Sequence, residues 1–230
     1  MRPAPVHLHY EFGGQQEYCL SFGDSGANRS ILIVPPLFDE MNRVRRMLVE
    51  AMRALASCGL RTLLPDLPGC NESMAAMSAQ TLETWRDAIV AAASQLGSTH
   101  VASMRGGCLI DHRPDLPHWR LAPVKGASVL KTMLRARIAA EKESGNSVTI
   151  EQLMAAAQTG PLELSGNILG FAMLESLDKA EPVPVDDLHE ATLAEIAGTP
   201  LWLRAEPGDA PEMSAAIAAD LDRWSASCDR

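Results

Sequence analysis

The sequence predicts an α/β fold, a mostly parallel sheet flanked by helices, and three observations predict it. Ile31-Leu32-Ile33-Val34 and Arg61-Thr62-Leu63-Leu64 are short apolar or β-branched runs ended by Pro35-Pro36 and Pro65. Strands buried on both faces of a parallel sheet read this way. Between and after them, residues 42–58 and 81–96 carry apolar side chains at helical spacing and stop at Gly59 and Gly97. Strand, helix, strand, helix, strand is the order of right-handed parallel units. A length of 230 residues suffices for one well-buried domain.

Along the chain, residues 5–22 read as two strands around Gly13-Gly14, with Val6, Leu8 and Tyr10 alternating with His7 and His9. The two histidines are expected to face solvent. The first helix has Val44, Met47, Leu48, Ala51, Met52 and Leu55 on one face. After the second helix, His100 to Met104 is a short strand. Only a brief helical piece fits between Gly107 and Pro114, and residues 119–124 read as a further strand. Residues 126–143 read as a helix, and 148–157 as another, with Thr149 and Gln152 forming a capping box. Residues 166–177 are expected to be a third. Residues 182–187 read as a linker, 199–204 as the last strand and 210–225 as the closing helix. The expected division is an α/β core over 1–125, a helical cap over 126–180, and the final strand and helix of the core over 181–230.

Composition excludes several functions. A net charge of −9 argues against nonspecific nucleic-acid binding, which needs a basic face. Cys19, Cys58, Cys70, Cys108 and Cys228 are odd in number and never in a C-x-x-C pair, so neither a zinc site nor a disulfide framework is expected. No cofactor or metal is expected. The amino-terminal residues lack a signal-peptide pattern, and no apolar run approaches the ~20 residues of a membrane span. The expectation is a cytoplasmic protein without a transmembrane segment.

The chemistry concentrates in Ser103-Met104-Arg105-Gly106-Gly107, a small-x-nucleophile-x-small turn between a strand and a helix. In serine hydrolases this sharp turn lifts a serine oxygen clear of the sheet. Here its centre is Arg105, or Met104 if the register slips by one. Neither can be acylated as serine can.

Three blocks resemble the α/β-hydrolases: residues 31–36, Gly59 through Ser73, and the turn at Arg105. The middle block is similar to that fold's D-x-x-G-x-G-x-S stretch, with Asn71 in place of the second glycine. More narrowly, the chain resembles the exosortase A system-associated hydrolases of type 2, linked to exopolysaccharide production and PEP-CTERM sorting. The matching pieces are Pro35-Pro36-Leu37-Phe38-Asp39-Glu40-Met41-Asn42 with Arg45-Arg46-Met47, the 66–73 loop, Pro123-Val124-x-Gly126, and residues 134–140. The resemblance extends to about residue 177 and implies that arginine at the centre of the elbow is a family trait.

In that fold a triad needs a nucleophile, then an acid, then a histidine beyond the last strand. Glu206 and Asp209 are the acid-position candidates. The last histidine, His189, precedes the expected last strand, so the ordinary triad lacks two members. Ser103, Cys108 and Ser73 are substitute nucleophiles to weigh, and His112 beside Asp111 is the one unplaced imidazole. Arg105 is expected either to pair with Glu40, on the loop beside the elbow, or to bind a small anionic or hydroxyl-rich ligand with Glu40, Asn42, Met104 and Phe38 around it. Three functions follow: a ligand-binding or accessory factor without a triad, an active esterase with an unrecognised nucleophile, and an interaction module pairing with a protein partner through its cap helices.

Overall fold

The computed structural model describes residues 3–204 and 208–228. Strands β1 (Val6–Phe12) and β2 (Gln15–Phe22) form the expected hairpin. β3 (Ser30–Val34), α1 (Asp39–Ser57), β4 (Arg61–Pro65), α2 (Leu82–Gln95) and β5 (His100–Met104) follow in the expected alternation. Next come β6 (His118–Leu121), α3 (Gly126–Glu143), α4 (Ile150–Ala157), the hairpin β7 (Leu162–Leu164) and β8 (Asn167–Leu169), α5 (Phe171–Lys179), β9 (Leu188–Ala191) and α6 (Pro211–Cys228).

The main sheet runs β1-β2-β4-β3-β5-β6-β9, and β2 alone is reversed. From β4 to β9 every neighbouring pair is parallel. This is an α/β-hydrolase-like arrangement, and it brings the carboxyl ends of β3, β4 and β5 side by side, where open α/β sheets place ligands.

Period-2 alternation divides the core into two halves. Leu32, Val34, Leu63 and Val101 join α2, α3, α4 and α5 on one face. Ile31, Ile33, Leu64, Ala102 and Met104 join α1 and α6 on the other. The apolar stripes of α3, α4 and α5 are spent within the first half: Val129, Leu130, Met133, Leu134, Leu153, Met173 and Leu174 are all buried there.

Two expected elements are different. Residues 166–177 are not one helix. Ser165 and Gly166 both have positive φ (50° and 77°), the conformation of a tight hairpin turn, so Leu162–Leu164 and Asn167–Leu169 pair and α5 begins only at Phe171. Residues 199–204 are not a strand. Leu201–Leu203 form one 3-10 turn that packs Leu201 and Trp202 beside α1. The seventh strand of the sheet is instead β9, directly after the expected linker, in register with β6 through Trp119↔His189 and Leu121↔Ala191. A four-residue run with a histidine and a glutamate in its centre is too short for a pattern argument to detect.

Candidate functional site

β5 delivers the chain to the elbow with Met104 extended and Arg105 at φ 54°. A non-glycine residue in this region costs about 1–3 kcal/mol and persists where its surroundings hold it. Gly107 is obligatory: a Cβ there would lie 2.8 Å from the Val34 carbonyl oxygen and 2.7 Å from that of Pro35. The turn is therefore held tightly against β3, and the residues behind it form a 3-10 turn over Arg105–Leu109.

The elbow tip is filled. Arg105 Nη2 and Nε donate to Glu40 Oε1 at 2.8 and 3.2 Å. Its guanidinium lies over the Trp202 ring, 5.4 Å from the centroid, with the Ala122 carbonyl oxygen 3.5 Å from Nη1. Glu40 stands in the first turn of α1, where the helix dipole also favours a carboxylate. The pair is mostly shielded, so the charge that would attract an anion is already neutralised inside the protein.

Below the elbow lies a buried polar knot. Arg120 Nε and Nη2 fork onto Asp111 Oδ2 and Oδ1 at 2.8 and 2.6 Å. Ser103 Oγ donates to Asp111 Oδ2 at 2.6 Å and lies 3.2 Å from Cys108 Sγ. Ser103 is 1% exposed and Cys108 0%, and burial pushes the Cys108 thiol up to about 12. Neither reaches a surface from which to attack a substrate.

The six histidines are all accounted for away from the elbow. His7 and His9 lie on edge strand β1 around Tyr18. His100 and His118 open β5 and β6, at the opposite end of the sheet. His112 is in the loop after the 3-10 turn, its pKa lowered by burial and by Arg86. His189 is bonded to Asp220 at 3.3 Å, in the middle of β9. Asp209 pairs with Arg46 at the surface, while Glu206 lies outside the described residues. Ser73 is a loop brace: its Oγ accepts from the amides of Gly69 and Ala75 and donates to Glu17.

A cavity of about 250 Å³ opens beside the plugged elbow, at the carboxyl ends of β3 and β4. Phe38 and Asn42 line it; Arg105, Glu40 and Met104 do not. Met104 faces the α1–α6 side of the sheet, and Arg105 is drawn to Glu40 and Trp202. The other polar lining comes from Asp66, Asn71 and Asn167, the last carried by the β7–β8 hairpin. Asn71 has φ 48°, a conformation asparagine tolerates better than most residues, and its amide donates to Asp66 Oδ1 at 2.7 Å. Asp66 is 2% exposed, and burial raises its pKa. Asn71 thus places a polar side chain at the cavity. The Ser165-Gly166 turn that brings Asn167 over it was legible as a turn signal flanked by alternating apolar residues.

No family model matches the chain, and no curated protein matches it. Among solved structures, an epoxide hydrolase from Vigna radiata is 20% identical, with a TM-score of 0.43, over 51% of this chain and 40% of that one. A potato epoxide hydrolase variant gives 20%, 0.43, 51% and 40%. A thioesterase domain from the curacin biosynthetic pathway gives 20%, 0.38, 46% and 38%. The chain spans about two fifths of the length of each.

Proposed function

We propose that this protein is a ligand-binding or accessory factor on an α/β-hydrolase scaffold, of the exosortase- and exopolysaccharide-associated type, without hydrolytic turnover. The observation that carries the reading is the elbow tip: Arg105 occupies the nucleophile position at φ 54° and is locked to Glu40 over Trp202. A guanidinium cannot be acylated, and among the described residues no imidazole stands beside it. The cavity at the ends of β3 and β4 is the binding site in this reading. The resemblance to the exosortase-associated hydrolases supplies the biological setting.

The esterase alternative needs a hydroxyl or thiol with a base in reach, and Ser103, Cys108 and Ser73 are each committed to internal bonds. The cap-pairing alternative needs free apolar helix faces, and those of α3, α4 and α5 are buried in the core. Incubation with a fluorophosphonate probe tests the proposal. No stoichiometric labelling is expected, and labelling of any serine at the carboxyl end of the sheet would overturn it.

A further inference from the structure

The cavity beside the elbow has an uneven hydrogen-bonding inventory. Three of its walls are Pro35, Pro36 and Pro65, which have no backbone N–H to offer. Asn71 spends an amide proton on Asp66, and Asn167 spends its amide protons on the carbonyl oxygens of Leu164 and Ser165. Those partners accept only, so both side-chain orientations are fixed. In each case Oδ1 takes no donor from the described residues. The Asp66 carboxylate has one firm side-chain bond, from Asn71, and a long contact of 3.4 Å from the Glu72 amide. Asn42 adds an amide with both a donor and an acceptor end, so among the lining side chains acceptor positions outnumber donors.

Its charge points the same way. Asp66 is the one acidic side chain in the lining, and no lysine, arginine or histidine lines it. The Cys70 thiol is pushed up to about 12 by burial and stays neutral. Arg45 comes to 3.9 Å from Asp66 Oδ1 but lies outside the lining. Two more carboxylates, Glu17 and Glu72, add to the negative side of this corner. An anion would meet the Asp66 carboxylate with no cationic side chain in the lining to pair it, and desolvating it unpaired is costly. The rest of the wall is apolar: Leu37, Phe38, Met41, Leu67 and Met77.

We propose that the cavity binds a small organic cation, a protonated primary amine on an apolar body, with the three ammonium protons shared among Asp66, Asn71 Oδ1 and Asn167 Oδ1. This rests on the ligand-binding reading above and gives that site its substrate class. An ammonium group has three donors and no acceptor, the complement of this lining. The apolar body packs on Phe38, Met41 and Met77, which suits a volume of about 250 Å³.

The test uses three probes of one size, benzylamine, benzyl alcohol and benzoate, with the side-chain amide resonances of Asn71 and Asn167 followed by NMR. Benzylamine is expected to shift both amides and to bind at least about tenfold more tightly than the other two, as a charge-assisted contact implies. Asp66→Asn is expected to remove that preference. Asn167→Ala, at a half-buried position of the β7–β8 hairpin, is expected to weaken benzylamine selectively even if Asp66→Asn folds poorly. Equal or tighter binding of benzyl alcohol or benzoate at the same amides would overturn the cation preference and leave the cavity as a binding site. No shift with any probe would overturn both.

Discussion

Two neighbouring strand ends in this molecule have opposite fates. At the end of β5 every charge is matched internally: Arg105 with Glu40, and beneath it Arg120 with Asp111 and Ser103. At the ends of β3 and β4, Asp66, Asn71 and Asn167 line a cavity that no lysine, arginine or histidine side chain lines. In an esterase the first location would be the open one. Here the strained elbow backbone survives while the guanidinium closes the space around it. The difference teaches that strand ends side by side in one sheet can be closed or open according to the side chains they carry: a paired guanidinium fills one, and a cavity stands at the other.

The largest expected effect tests whether the knot under the elbow is structural. Asp111→Ala strands a buried guanidinium and is expected to cost about 3–5 kcal/mol in urea unfolding. Replacing both partners, Asp111→Leu with Arg120→Met, is expected to recover most of that loss, because neither charge is then left buried alone. A single variant as stable as the native chain would break the comparison, since the knot would not be holding the elbow.

An intermediate effect is expected at the tip. Arg105→Ser restores a hydroxyl to the turn but leaves Glu40 without its partner and Trp202 without its cation. A loss of about 1–3 kcal/mol is expected by thermal or urea denaturation. No hydrolysis of p-nitrophenyl acetate above buffer is expected, because among the described residues no imidazole stands beside the turn. Turnover in this variant would show that the elbow end was closed by one residue only.

The smallest effect separates the two regions by pH. Burial raises the pKa of both Glu17 and Asp66, so the folded chain holds those protons more tightly than the unfolded one. Their contribution to stability is therefore full below the ordinary carboxylate range and is lost as pH rises through the raised values. Unfolding measured between pH 7 and pH 5 is expected to show this contribution growing on acidification, and Glu17→Gln is expected to shrink it. An unchanged pH slope in that variant would remove Glu17 from the account.

The two Pro-terminated buried runs, the helices stopped by Gly59 and Gly97 and the capping box at Thr149 were legible in the sequence because each depends on local chemistry. Periodicity, caps and turn residues act over a few positions. The pairing of Arg105 with Glu40 followed only from recognising which loop this fold sets beside its elbow. Tertiary structure decided the rest. It chose β9 over residues 199–204 as the last strand, with Leu201 and Trp202 buried beside α1 instead of paired in the sheet. It also brought Asn167 from a distant hairpin to Asp66 and Asn71, across about a hundred positions of chain, and so decided where the open space lies. Contacts at that separation are set by how whole layers pack, and no short stretch of sequence carries them.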